Sequence, residues 1–201
     1  MRPSTILSAA LPFALLLAGC GDESDLDSAE DARRAYLGLD GSLEKALDLG
    51  MEGFNAASNA NISPQSGMGD ASGMITVDGQ VDQGASDNKG MRLTLALEMY
   101  SDGVIETVDD MDIEITYDTD PANLPALDVM MKMIPDGDFE GTMVGTYQMR
   151  GSIEGTATLD LALSGQLMDD GSGGVSRLPG QTHVTGTARS GDATYDVDVT
   201  I

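Results

Sequence analysis

The chain has 201 residues, of which 34 are Asp or Glu and 10 are Lys or Arg, so its formal net charge is −24 at pH 7. This length is typical of one domain with a sizeable core. So acidic a surface repels nucleic acid and anionic headgroups, which excludes nucleic acid as a partner. One Cys and one His are present, which excludes a disulfide within the chain and any multi-histidine metal site.

The first 25 residues have the layout of an export signal. Arg2 precedes an apolar run from Ile6 to Ala18, and the composition turns acidic at Asp22 and Glu23. This order of charge, apolar run and polar segment is typical of a removable signal. The apolar run is too short to span a bilayer as a helix. We therefore expect an exported protein.

The end of the apolar run, Leu17-Ala18-Gly19-Cys20, resembles the lipobox of bacterial lipoproteins. The resemblance implies that residues 1–19 are a cleaved signal peptide. It also implies that Cys20 carries diacylglycerol on its thiol and an N-acyl chain, such as palmitate. Two or three such chains anchor a domain stably on a membrane. In these lipoproteins Asp directly after the Cys resembles an inner-membrane retention signal; Gly21 stands there instead, which favours the outer membrane of the cell envelope.

Residues 20–41 are predicted to hold the lipid anchor, an acidic tether and a short helix. The sequence Ser28-Ala29-Glu30-Asp31 resembles a capping box and predicts the start of that helix. Apolar residues at helical spacing predict a second, amphipathic helix over 42–59. Residues 62–73 are rich in Ser, Gly, Pro and Asn, which predicts a linker.

From Met74 onward the hydrophobic period changes from about 3.6 to about 2, which predicts half-buried strands. Short turns such as Pro135-Asp136-Gly137 predict antiparallel neighbours. We expect about seven to nine strands in an antiparallel meander, and we assign residues 42–201 to one helix-plus-sheet domain. The predicted fold class is α+β, mainly antiparallel β. The alternating runs are 91–99, 111–117, 127–133, 139–149, 159–167 and 195–201.

One helix of ~18 residues is ~27 Å long and ~10 Å wide, so it covers only part of such a sheet. The sheet is therefore expected to curl into a half-barrel or barrel packed on the amphipathic helix. A two-fold internal repeat is a further hypothesis. Residues 70–133 set over 138–201 align Leu93 and Leu95 with Leu161 and Leu163.

The apolar face of the sheet is either filled by the helix or open as a pocket. A core rich in Met and poor in aromatic residues adapts easily to a greasy ligand. Neighbouring Met130, Met131 and Met133 also suggest Cu(I), but the inward phase of Met131 and Met133 favours core packing. The candidate ligand-facing residues are Leu93, Leu95, Met131, Met133, Leu161 and Leu163.

A weak calcium candidate consists of Asp136, Asp138 and Glu140, which match the first half of an EF-hand loop in spacing. The twelfth position of such a loop falls on Tyr147, which has no carboxylate. A hairpin turn between solvated carboxylates is therefore favoured. We expect no metal and no cofactor besides the lipid on Cys20.

Two fragments match motifs of penicillin-binding proteins and β-lactamases, Ser42-x-x-Lys45 and Ser86-Asp87-Asn88. The third motif of those enzymes is absent, and the run of strands leaves no room for their helical domain. His183 is the single His, so no His-based triad can form. We expect that the protein is not an enzyme.

Two functions remain as hypotheses. A structural or interaction domain of the cell envelope is favoured, with an envelope protein as partner. The alternative is a carrier for lipid or another hydrophobic ligand, similar in outline to half-barrel lipoproteins of the outer membrane. Either form would meet the membrane through its lipid anchor. A spanning outer-membrane barrel is disfavoured because the chain has too few aromatic residues to form girdles.

Overall fold

The computed structural model describes residues 26–171 and 174–201. The predicted signal peptide, Cys20 and Gly21 lie outside the described residues. Two helices come first, α1 (Ala29–Leu37) and α2 (Asp40–Ala56). The predicted cap of α1 is confirmed, because Ser28 Oγ accepts a hydrogen bond from the Asp31 backbone N–H at 3.1 Å. Within the described ranges, no helix combines the length and apolar character that a bilayer crossing requires.

Eleven strands follow in the described part of the chain, more than the expected seven to nine. Each alternating run of the sequence coincides with a strand, although Met133 and Ile201 lie one residue beyond the ends of theirs. The strands are β1 (Asn61–Met68), β2 (Ser72–Val81), β3 (Lys89–Ser101), β4 (Val104–Val108), β5 (Met111–Thr119), β6 (Ala126–Lys132), β7 (Asp138–Gly151), β8 (Gly155–Asp169), β9 (Val175–Arg177), β10 (His183–Ser190) and β11 (Ala193–Thr200).

The strands form one antiparallel sheet in the order β1-β2-β3-β5-β7-β8-β10-β11. Neighbours in space are close in the chain, so the predicted meander is confirmed. The segment 120–125 separates β5 from β6, which both pair with β3 and β7. β4 pairs with β5, and β9 pairs with β8.

The predicted linker over 62–73 is wrong, because these residues form most of β1 and the start of β2. Pro64 lies where the β1–β2 register shifts, between Ile62 and Gln65. An edge strand tolerates Pro, since one side of its backbone has no partner strand. Ser, Gly and Pro here mark an irregular edge strand.

The structure does not support the internal repeat. An offset of 68 residues sets β6 over β11. However, β6 lies inside the sheet between β3 and β7, whereas β11 ends the strand order beside β10. The aligned Leu residues reflect a strand periodicity that any two strands of this sheet share.

One apolar core lies between the sheet and the helices. α2 packs on β1, β2, β3 and β9, and α1 packs on β11. We call the side of the sheet that contacts the helices the core face, and the opposite side the outer face. Leu43 and Leu47 of α2 are fully buried against the core face. The amphipathic helix therefore covers apolar strand residues, as its sequence predicts.

The bend between α1 and α2 is held by a strand residue. Tyr117 of β5 donates a hydrogen bond from its hydroxyl to the Ala35 carbonyl, at 3.0 Å. Gly38 follows α1 at this contact, and a Cβ there would clash with the Tyr117 hydroxyl. A glycine at position 38 therefore allows the helix pair to sit directly on the sheet.

Candidate functional site

Five of the six candidate ligand-facing residues lie in the core. They are Leu93, Leu95, Met131, Leu161 and Leu163, all between 0% and 3% exposed. α2 approaches this face closely at Gly50, where a Cβ would lie 3.2 Å from Leu93 Cδ1. The protein's own helix therefore occupies the space above Leu93.

The sixth candidate, Met133, does not share this face. It is 64% exposed, because β6 ends at Lys132 and the next residue adopts a positive φ of 54°. Its backbone N–H donates to Asn88 Oδ1 at 2.9 Å. The alternating pattern in the sequence continues one residue past the end of β6. It therefore predicts that Met133 faces the core, whereas Met133 is exposed.

A polar group lies in the core without a partner. The Tyr147 hydroxyl is buried and makes no hydrogen bond to any described residue. Its ring meets Tyr117 edge-on, with centroids 6.4 Å apart, and burial raises the pKa of Tyr147 above its ordinary value. Such an orphaned hydroxyl costs about 1–3 kcal/mol of stability.

A depression of about 680 Å³ lies across the outer face, where β3, β6, β7, β8 and β10 run side by side. Gly90 and Ala162 have little or no side chain, so they form its low floor. Met130 is 39% exposed at its side. We call this depression the outer groove; its outward side chains include Arg92, Asp128, Met130, Glu140, Ala162 and Thr185.

The charges of the outer groove are unevenly paired. Arg92 binds Asp82 at 3.1 Å, and Lys132 beside the groove binds Glu140 at 2.6 Å. The Asp128 side chain makes no hydrogen bond or ion pair with another described residue. The groove therefore has one uncompensated carboxylate beside an exposed thioether.

Two of the three calcium candidates, Asp136 and Glu140, bind other groups of the protein. Asp136 Oδ1 accepts a hydrogen bond from the Asp169 backbone N–H at 3.2 Å, and Glu140 binds Lys132. Asp138 opens β7. In the described ranges, no group of three or more His, Cys, Asp or Glu residues is placed to hold a metal ion.

The two residues of the Ser42-x-x-Lys45 fragment each bind other groups of the protein. Ser42 is buried and donates from Oγ to the Leu39 carbonyl at 2.6 Å. Lys45 Nζ instead binds Asp102 at 2.8 Å and Asp70 at 3.0 Å. Both motif residues therefore have structural partners. Lys45 is paired with carboxylates and does not act as a base for Ser42.

Asp102 is the centre of a small polar cluster between α2 and β3. Tyr100 donates from its hydroxyl to Asp102 Oδ2 at 2.6 Å, and the Asp70 N–H donates to Oδ1 at 3.0 Å. Burial opposes ionisation, but these bonds and the Lys45 ammonium hold the pKa of Asp102 below its ordinary value. The cluster is satisfied internally and ties the helix to the sheet.

A second ion cluster joins α2 to β9, and we call it the Arg177 clamp. The Arg177 guanidinium binds Asp40 in two places, at 2.7 and 2.9 Å, and Glu44 at 2.7 Å. Tyr36 donates to Asp40 Oδ1 at 2.8 Å. Burial disfavours the Arg177 charge, but Asp40 and Glu44 keep its pKa above the ordinary value. Nothing in the sequence pattern pointed to this pairing.

Asp48 lies beside the clamp, in a depression of about 260 Å³ that Glu52 and Asp170 also line. Partial burial and then the carboxylates of Glu44, Asp170 and Glu52 raise the pKa of Asp48 to about 6. A raised pKa means that the folded state binds this proton more tightly than the unfolded chain does. Protonation of Asp48 therefore stabilises the fold as the pH falls from about 7 to about 4.

We predict that Asp48→Asn raises the free energy of unfolding at pH 7 by less than about 1 kcal/mol, since solvent screens the site. The gain should shrink as pH falls through about 6 and disappear at about pH 3, below the ordinary Asp pKa of 3.8, where the wild-type carboxyl is protonated in both states. Urea unfolding at several pH values measures this. Asp196→Asn, on the exposed edge strand, is the control for net charge; equal pH profiles for both variants would contradict the prediction.

His183 takes part in an exposed surface pair. Its Nε2 lies 2.9 Å from Asp198 Oδ1 across β10 and β11. The side chains are 50% and 77% exposed. This pair offers no enclosed space for a substrate.

Comparisons with known protein families, curated proteins and solved structures find no match to this chain. The fold and the site define a class: a mainly antiparallel β domain whose core face is covered by its own N-terminal helices. Sequence patterns predicted the helices and the sheet. They missed the Arg177 clamp and the outer groove, because both join residues far apart in the chain.

Proposed function

We propose that this chain is an exported lipoprotein, anchored on the cell envelope through Cys20, and that its β domain is a non-enzymatic interaction module. The support for the anchor is the lipobox and the signal layout of residues 1–20. Gly21 supports the outer membrane as the location. No cofactor besides the covalent lipid is part of the proposal.

One observation carries the choice of an interaction module over a carrier. Leu93, Leu95 and Leu161, which would line a ligand pocket, are instead covered within the core, with α2 close against Leu93 at Gly50. The outer face keeps an accessible groove. A carrier needs an enclosed apolar cavity, and a module that binds other proteins needs an accessible surface.

We also infer that the sheet curls around its helices. α2 packs on β1, β2 and β3 at one end of the strand order, and α1 packs on β11 at the other. The helices are consecutive and meet at Gly38. A sheet with both ends close to one helix pair must bend, which agrees with a half-barrel.

The carrier stays the second candidate because of one observation. The buried Tyr147 hydroxyl has no partner among the described residues, and a polar atom of a bound ligand would satisfy it. Binding there would require α2 or its neighbours to move away from the core face.

Two measurements test the proposal. Metabolic labelling with palmitate, followed by membrane flotation, compares the full chain with Cys20→Ser. We expect label and flotation for the wild type and neither for the variant. A wild-type chain without label would contradict the anchor.

Native mass spectrometry tests the module. Residues 21–201, exported behind a cleavable signal without a lipobox, are expected to show the bare chain mass. A lipid-sized mass that is lost on denaturation would overturn the interaction module in favour of the carrier. A Tyr147→Phe form of the same chain would then be expected to retain less of that mass.

A further inference from the structure

The outer groove runs across five neighbouring strands, from β3 to β10. Strands are spaced about 4.8 Å apart, so the groove is roughly 19 Å long. That length matches about six residues of extended polypeptide. Its volume of about 680 Å³ is within the range of roughly 300–1,000 Å³ that holds a compact ligand or a short peptide.

The floor of the outer groove is apolar or small, and its surroundings are acidic. Val144, 42% exposed, lies two rows beyond Met130 on the same face, opposite Ala126. Carboxylates on the neighbouring outward positions outnumber the cations Arg92, Lys132 and Arg189. These carboxylates are Asp78, Asp82, Asp128, Asp138, Glu140, Asp160, Asp196 and Asp198.

The cations nearest the outer groove are already committed to other carboxylates. Arg92 binds Asp82 and Lys132 binds Glu140. Asp128, which faces Arg92 across β3 and β6, has no ion pair with a described residue. A positive group placed over Asp128 would therefore meet a free carboxylate in a net negative field.

We propose that the outer groove binds an extended segment of a partner protein that carries Lys or Arg next to small or apolar residues. This proposal rests on the proposed interaction module. The basic side chain pairs with Asp128, and the flanking residues pack on Met130 and Ala162. Apolar contact supplies affinity, and charge complementarity selects the partner.

Other occupants fit this groove less well. A second copy of the chain carries the same net charge of −24 and would be repelled, as would an anionic lipid headgroup. A quaternary ammonium ligand is recognised by aromatic faces, and the lining contains no Phe or Tyr among the described residues. A basic peptide satisfies both the charge and the length.

Fluorescence anisotropy tests this with the full chain purified in a neutral detergent. The probe is a labelled hexapeptide with two lysines among alanine and leucine; the control probe carries glutamate in place of lysine. We expect saturable binding of the lysine peptide that weakens as salt rises, and no binding of the glutamate peptide. Equal binding of both probes, or of neither, would overturn the proposal.

Two variants locate the binding site. Ala162→Trp fills the groove and is expected to weaken binding at least about tenfold, whereas Thr158→Trp, outward on the same strand, serves as its control. Asp128→Asn is expected to weaken binding about threefold, with Asp196→Asn as the charge-matched control. Equal losses in a variant and its control would assign the binding to the acidic surface in general and overturn the groove.

The two proposals can fail separately. If the lysine peptide does not bind, but the native mass is that of the bare chain and Cys20 is labelled, only the peptide-binding proposal for the outer groove is overturned. A co-purified lipid mass would overturn the interaction module, whatever the peptides do.

Discussion

Arg177→Met is expected to lower the free energy of unfolding by about 2–3 kcal/mol. Removing one partner of a buried ion pair costs about 3–5 kcal/mol, because it leaves the other charge buried and unpaired. The Arg177 side chain is 10% exposed and that of Asp40 17%, whereas that of Glu44 is 31% exposed. Water reaches Glu44, which reduces the expected loss. Urea unfolding followed by circular dichroism measures it.

Arg150→Met is the matched control for the clamp. Arg150 binds Asp118 at 2.8 Å, but its side chain is 58% exposed, and such surface pairs contribute less than about 1 kcal/mol. A double-mutant cycle with Asp40→Asn adds a second check. Once Arg177 is gone, the Asp40 change should restore part of the lost stability, because it removes the unpaired charge. If Arg177→Met and Arg150→Met lower the free energy of unfolding by the same small amount, the stabilising role of the Arg177 clamp is contradicted.

Leu93→Ala is expected to lower the free energy of unfolding by about 2–5 kcal/mol, the usual range for emptying a packed Leu site. Leu93 is 1% exposed and lies against α2 at Gly50. The helix cannot close the space fully, because the strand and the helix are fixed by their other contacts. The same unfolding assay on ligand-free protein measures this change.

This prediction separates a filled core from a ligand pocket. In an open pocket, Leu93 would face solvent or ligand, and truncation would leave the ligand-free stability almost unchanged. Val144→Ala is the control, since Val144 lies on the outer face at 42% exposure, and it should cost less than about 1 kcal/mol. Equal effects of the two truncations would argue against a core packed by α2.

The Arg177 clamp and the packing at Leu93 bear on function through the same helix. α2 is held to β9 by Arg177, to the β3 end by Lys45 and Asp102, and to the core by its apolar stripe. Two ion clusters and the apolar core contact therefore oppose its departure from the core face. A carrier would have to break them to admit a ligand, whereas binding in the outer groove would leave them intact.

Local patterns in the sequence predicted most of the architecture. The cap at Ser28, the apolar stripe from Leu43 to Phe54, and the period of two in the longer strands each depend on residues close in the chain. Such signals are independent of the final packing. They were sufficient for the class, mainly antiparallel β with N-terminal helices, and for the meander.

The edges and the ends of elements were less predictable. β1 contains Pro64 and looked like a linker, because edge position is a property of the assembled sheet. Met133 continued the alternation of β6 by one residue, but the chain turns away there at a positive φ. In both cases a neighbouring segment decides the structure, and the local residues contain no signal of it.

The sequence by itself determined the acidic surface, the lipobox resemblance at Cys20, the two helices and the alternating strands, because each is encoded by composition or short-range spacing. Only the tertiary structure decided that α2 covers the core face, that Arg177 meets Asp40 from 137 residues away, and that five strands leave a groove on the outer face. Those features arise where distant segments meet. Long-range contacts follow from the packing of the whole chain, and no local pattern specifies them.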